Sequence, residues 1–248
     1  MLNISFLPEH IITVGSFAIT NSLLISWIAM AILIVFAYFA TRKMRTVPSG
    51  LQNFAEVIIE GLYNLVESVT GNDKQTKKFF PVVATIFLLV LLCNWLGLIP
   101  GVGSIGLWEE GHGEKTLVPL FRSTSADLNF TLALAIMSVG AAQIFGIAAL
   151  GVYKYGKKFI NLKNPILFFV GILELIGETA KMVSFSFRLF GNIFAGEVLL
   201  LVISFLAPYI VPLPFYFLEV IVGVIQAFIF AMLTLVFLKM AVTPHGEH

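Results

Sequence analysis

Five stretches of this chain are apolar for long enough to cross a lipid bilayer, and nothing else in the sequence constrains the fold as strongly. A helix rises about 1.5 Å per residue, so about 20 apolar residues span a hydrocarbon core. The runs cover residues 22–40, 80–99, 128–152, 165–206 and 215–240. Arg42, Lys43 and Arg45 stop the first, which lacks a basic leader and is too long for a signal-peptide core, so it reads as a retained helix. Pro100-Gly101 ends the second, and Ala133, Gly140, Ala148 and Gly151 suit the third to close helix contact. Only 12% of the residues are charged, about half the roughly 25% of soluble domains, so a water-soluble globule is excluded. The single cysteine, Cys93, rules out a disulfide framework, and a net charge of +1 rules out a basic nucleic-acid binder. The expected fold is an all-α polytopic membrane protein, a single membrane domain over 1–248 with the lipid bilayer as its surroundings.

Residues 50–71 do not read as a crossing. Asn53, Glu56, Glu60, Asn64 and Glu67 recur every three or four residues, while Leu51, Phe54, Ile58, Leu62, Leu65 and Val69 fill the opposite face. This is an amphipathic helix, lying either along the membrane surface or against another chain. Arg42, Lys43, Arg45, Lys74, Lys77, Lys78, Lys154, Lys157, Lys158 and Lys163 fall on one side of the membrane, against Lys115 and Arg122 on the other. That asymmetry puts the N-terminus outside and, after five crossings, the C-terminus inside.

Charges also occur where hydrocarbon penalises them, at about 2.5–3.5 kcal/mol each. The run from 165 contains Glu174, Glu178, Lys181, Arg188, Asn192 and Glu197. At about 100° per residue the first five share an arc of roughly 80°, and Glu197 lies off it. Such a stripe faces protein or water. As one helix, the run would measure about 63 Å, twice a hydrocarbon thickness of about 30 Å. No Gly-Pro turn divides it into a hairpin, so a single long, steeply tilted helix is expected. The last run adds Glu219 and Gln226 two turns apart, on an antiparallel neighbour that meets Glu197 or the stripe. Glu178 and Lys181 could instead neutralise each other, and single amides serve as interhelical glue. So many such groups on two adjoining helices point to an ion pathway.

Arg188 keeps its proton at any accessible pH, so it cannot relay one. Carboxyl groups can, because burial favours their neutral form and a nearby cation their charged form. Carboxylates on either side of a fixed cation make two proton wires with a block between them. A carrier acid brought beside Arg188 would be driven to release its proton.

The residues from Ser186 to Leu200, Ser-Phe-Arg-Leu-Phe-Gly-Asn-Ile-Phe-Ala-Gly-Glu-Val-Leu-Leu, resemble the signature of subunit a of F-type ATP synthases. Gln226-Ala-Phe-Ile-Phe-Ala-Met-Leu-Thr is similar to that family's last helix, and Asn94-Trp-Leu-Gly-Leu-Ile-Pro and Ser125-Ala-Asp-Leu-Asn resemble its middle segments. Nearly the whole chain from Leu51 onward takes part. Met182, where many members have proline, departs from the pattern, and Glu219 occupies a position where some members carry histidine. The resemblance implies a stator subunit beside a rotating c-ring, held by peripheral-stalk b subunits and other ATP synthase subunits, in a bacterial plasma membrane more readily than a mitochondrial one. It implies that Arg188 is the essential stator charge, that Asn192, Glu197, Glu219 and Gln226 belong to an outer half-channel, and that Glu174 belongs to an inner one. Glu178 and Lys181 are weaker members. No cofactor and no metal are expected, since His10, His112, His245 and His248 lack ligand spacing. No nucleophile–base set is visible, so ATP chemistry falls to partner subunits. Residues 151–158 nearly spell a phosphate-binding loop, but Lys158 replaces the required Ser or Thr. A proton-coupled secondary transporter is the competing reading, though such proteins commonly show repeated halves and five crossings cannot divide equally. A membrane scaffold without transport leaves the buried charges unexplained.

Overall fold

Lipid supplies no hydrogen bonds, so backbone polar groups in a crossing must be satisfied within the segment, and a helix does this. In the computed structural model, which describes residues 10–14, 17–99, 106–111, 114–119, 122–159 and 165–243, five helices are long and apolar enough to cross a membrane. A short antiparallel ribbon of β1 (His10–Val14) and β2 (Phe17–Thr20) leads into the first crossing, α1 (Asn21–Thr41). The amphipathic stretch is α2 (Leu51–Thr70). It stops at Gly71, whose φ of +67° lets its N–H return to the Glu67 carbonyl at 2.8 Å. Asn72 then caps α3 (Asp73–Gly97), its side chain accepting from the Lys74 N–H at 3.0 Å. This cap explains why α3 begins at Asp73, within a polar lead, and not at the apolar run near residue 80.

A second ribbon, β3 (Gly106–Gly111) with β4 (Glu114–Pro119), occupies the next connection, followed by a 3-10 turn at Thr124–Ala126. The sequence carries no sign of either ribbon, because strands of four to six residues are too short for alternation to stand out. α4 (Leu128–Leu150) stops two residues before the expected end of the third run, because Gly151 adopts a φ of +82°. The short helix α5 (Val152–Phe159) follows, so the near-match to a phosphate loop is helical and follows no strand. α6 (Pro165–Leu206) runs 42 residues without a break, and α7 (Pro212–Val242) runs 31. α7 starts ahead of residue 215 because Pro212 fits a first turn, where no N–H partner is needed. Pro100, Gly101, Lys163, His112, His245 and His248 lie outside the described residues.

α7 is the centre of the bundle and packs against α3, α4 and α6. Its register with α6 is antiparallel throughout. Gly196 meets Glu219, Phe185 stacks on Phe230 at 3.9 Å between ring centroids, and Lys181 lies 5.4 Å from the ring of Phe237. Two apolar clusters fill the interior, one around Val90, Phe185, Leu189 and Phe230, the other around Phe79, Leu235 and Leu238. Polar groups inside the bundle are bonded across helices. Thr131 and Ser186 hydroxyls meet at 3.0 Å, those of Ser138 and Thr234 at 2.7 Å, and Asn94 Nδ2 donates to the Gly223 carbonyl at 2.9 Å.

Asp127 ties three elements together. One carboxylate oxygen caps α4 by accepting from the Asn129 N–H at 2.9 Å, and the other accepts from Ser22 Oγ of α1 at 2.5 Å. Thr124 Oγ1 donates to the Ser22 carbonyl beside it at 3.1 Å. Asp127→Ala removes a cap and the buried hydrogen bond from Ser22 Oγ, each a loss of about 1 kcal/mol. The purified protein is therefore expected to melt several degrees earlier, while the surface change Lys77→Ala leaves the melting temperature nearly unchanged.

Candidate functional site

The α6–α7 contact is closest where Gly196 passes Glu219. A Cβ on Gly196 would fall 1.5 Å from Glu219 Oε1, so only glycine lets the carboxylate sit there. Glu219 is 4% exposed. Beside it opens a cavity of about 230 Å³, lined by Glu197, Ser204, Tyr216, Asn94 and Ser123 among others. Its walls come from α3, α6, α7 and the residue before the 3-10 turn, at the bundle end where α1, α4 and α7 begin. Asn94 is a fixed wall, because its Oδ1 accepts from Ser125 Oγ at 2.5 Å while its Nδ2 is bonded to α7. Glu197 Oε2 and Ser123 Oγ are buried there without a protein partner. Buried polar atoms of native proteins nearly always have a partner, and this volume has room for several water molecules.

Two turns along α6 the surroundings change. Arg188 and Asn192 are exposed on the face of α6 that no other helix covers. Among the described residues no hydrogen bond engages the guanidinium, and neither the Lys181–Glu178 nor the Lys77–Asp73 ion pair uses it. On its inner flank Arg188 shares a crevice with Phe185, Leu189, Gln226, Ile229 and Phe230, too tight for water. Phe185, Leu189, Ile193 and Phe230 belong to one packed cluster, which separates the cavity from the other end of α6.

At that other end, Lys181 Nζ donates to Glu178 Oε1 at 2.8 Å, and Glu174 is half-buried one turn earlier. Tyr155 of α5 is buried nearby and donates its hydroxyl to Gln143 Oε1 of α4. Burial first, then the Glu178 and Glu174 carboxylates, push its phenol above the ordinary range. The eight residues named from the sequence thus fall into three groups. Glu197 and Glu219 share the cavity, Arg188, Asn192 and Gln226 lie near mid-helix, and Glu174, Glu178 and Lys181 gather at the far end. Tyr216, Ser204, Ser123, Gln143 and Tyr155 join these groups without having been singled out. Tyr216 and Ser204 sit in apolar runs, and Tyr155 in a basic loop, so nothing local marks them.

The family model for the ATP synthase A chain matches residues 23–239. The chain belongs to the subunit a family of F-type ATP synthases. ATP synthase subunit a of Geotalea uraniireducens is 34% identical over 235 residues, covering 94% of this chain and 90% of that protein. ATP synthase subunit a of Campylobacter jejuni is 37% identical over 220 residues, 88% of each. A subunit a 3 of Pelobacter propionicus is 36% identical over 235 residues, 94% of this chain and 90% of its own length. This member of the subunit a family is a multi-pass membrane component of an ATP synthase.

The Gly196 contact gives a direct check on the site. Gly196→Ala must displace Glu219 or part α6 from α7, an overpacking cost of about 1–3 kcal/mol. Gly177→Ala, on the same helix with nothing within 4 Å of its Cβ, serves as the control. The expected result is a lowered melting temperature for the first and none for the second.

Proposed function

We propose that this subunit is the proton-translocating stator of its ATP synthase, with Arg188 presented to a carboxylate on a rotating c-ring. The observation that carries this reading is a guanidinium, unpaired among the described residues, on the uncovered face of a membrane helix. Leaving that charge against lipid costs about 2.5–3.5 kcal/mol, so an acidic partner group is the natural complement. Protons enter from the outside through the cavity of Glu197 and Glu219, pass on by way of Asn192 and Gln226 near Arg188, and load the ring carboxylate. After rotation through lipid the carboxylate returns to Arg188, whose permanent charge favours its ionised form. The released proton leaves past Glu174, with the Glu178–Lys181 pair and Tyr155 alongside. The packed cluster between the two polar regions prevents a short circuit. The N-terminus lies outside a bacterial plasma membrane and the C-terminus inside, with peripheral-stalk b subunits as further partners. ATP chemistry belongs to other subunits.

Arg188→Lys keeps a positive group but allows it to shed its proton when desolvated. Membrane vesicles carrying this variant are expected to lose ATP-driven proton pumping; normal pumping would refute the role. Glu219→Gln is expected to slow passive proton flux through the membrane sector by tenfold or more, on the order of a lost relay group. Glu219→His should retain part of the flux. Equal flux in the parent and the Gln variant would remove Glu219 from the path.

A further inference from the structure

A second concentration of charge lies away from the α6–α7 cleft, at the elbow joining α1 to α2. α1 leaves its apolar run at Thr41, and Arg42, Lys43 and Arg45 follow, all exposed. Met44 and Val47, interleaved with them, are 71% and 79% exposed. Cations and apolar side chains therefore alternate at the level where a crossing helix emerges from hydrocarbon.

The elbow is built, not loose. Gln52 of α2 holds the backbone of Arg45 from both sides, its Oε1 accepting from the Arg45 N–H and its Nε2 donating to the Arg45 carbonyl, each at 3.0 Å. The same Nε2 also reaches Glu56 Oε1 at 2.8 Å. Phe36 of α1 and Phe54 of α2 meet edge to face at 6.2 Å, and the Arg42 guanidinium lies 5.8 Å from the Tyr38 ring. None of these interactions neutralises Arg42, Lys43 or Arg45.

α2 continues from this elbow with three distinct faces. Gln52, Ala55, Val66 and Thr70 are buried against the rest of the bundle. On one side of that seam Leu51, Phe54 and Leu65 stay exposed, Phe54 at 59%. On the other side lie Glu56, Glu60 and Glu67, about half a turn away at 100° per residue. The helix is thus fixed by its flank, with an apolar ledge facing one way and its carboxylates the other.

We propose that the α1–α2 elbow is a binding site for anionic phospholipid, the headgroup phosphate held by Arg42, Lys43 and Arg45 and the acyl chains lying under the ledge of Leu51, Phe54 and Leu65. Charge complementarity selects this occupant. A protein helix seated on the ledge would leave three cations uncompensated, whereas an anionic lipid satisfies cations and ledge together. The acidic face points away, so it does not repel the headgroup. Juxtamembrane basic clusters and amphipathic helices are recognised by anionic lipids through this combination of charge and apolar contact. The site is independent of the proton path.

The test uses the intact ATP synthase in nanodiscs of phosphatidylcholine with or without phosphatidylglycerol, and native mass spectrometry of the lipid retained. The complex is expected to retain phosphatidylglycerol selectively. The triple variant Arg42→Gln, Lys43→Gln, Arg45→Gln should weaken that retention by roughly a hundredfold, at about one favourable contact per cation. Arg42→Lys with Arg45→Lys should preserve it, which separates charge from misfolding. Phe54→Ser should weaken it without changing phosphatidylcholine. Equal retention of both lipids, unchanged binding in the triple variant, or loss of binding in the Lys variant would overturn the proposal. So would displacement by inorganic phosphate at equal concentration, which marks a phosphate pocket, or a cross-link from Phe54→Cys to another subunit, which marks a protein interface.

Discussion

Hydrocarbon cannot hydrogen-bond, and the polar side chains that matter most within the crossings are placed by how that demand is met. Some are satisfied between helices, as in Thr131 with Ser186, Ser138 with Thr234, and Asn94 with the Gly223 carbonyl. Some surround a space large enough for water, as Glu197, Glu219 and Ser123 do. Arg188 and Asn192 are met in neither way, since they stand on the uncovered face of α6. Fixed interhelical bonds hold the bundle, the cavity has room for water beside its carboxylates, and the uncovered charge has no partner among the described residues. These three solutions to one constraint are what distinguish this bundle from an inert set of apolar helices.

The length of α6 gives the constraint its direction. Along the helix axis Glu178 lies about 15 Å from Arg188 and Glu197 about 14 Å on the other side. A 42-residue helix can fit a hydrocarbon layer of about 30 Å only by tilting or bending. Tilt reduces the depth between these groups, and polar surroundings gather at both ends. The cavity supplies one. Tyr155, Gln143 and the Glu178–Lys181 pair gather polar atoms at the other. Between them Phe185 and Phe230 stack at 3.9 Å, and their packing leaves no room for water. The aromatic block and the offset polar ends are two consequences of one long helix packed antiparallel on α7.

Much of this was legible in the residues. Apolar runs located the crossings, the missing Gly-Pro turn indicated that 165–206 is unbroken, and helical periodicity put Glu197 off the stripe. The possibility that Glu178 and Lys181 pair was also visible at their spacing. What escaped reading depends on tertiary contact. Gly196 is one small residue among many until Glu219 is placed opposite it. Tyr216 and Ser204 look like ordinary members of apolar runs, and become cavity walls only when α6 folds back on α7. Helix starts were misplaced where a cap outside the apolar run decides them, as Asn72 does for α3. The two ribbons were invisible because a few residues cannot display a period.

The contrast between Lys181 and Arg188 shows how the sequence keeps one cation available. Lys181 has an acid three residues earlier, on the same helix face, and forms an ion pair with it at 2.8 Å. Such a pair neutralises itself and needs no outside partner. Arg188 has Ser184 and Phe185 on the preceding turn and Gly191 and Asn192 on the next. None of them can carry a negative charge. Glu197 lies on another face of the helix, turned to the cavity, and the α7 residue sharing the Arg188 crevice is the neutral amide Gln226. An acid at any of these neighbouring positions would pair with the guanidinium, as Glu178 does with Lys181. Among the described residues no acid lies within reach of Arg188, so the stator role proposed for this arginine depends on its neighbours as much as on the arginine itself.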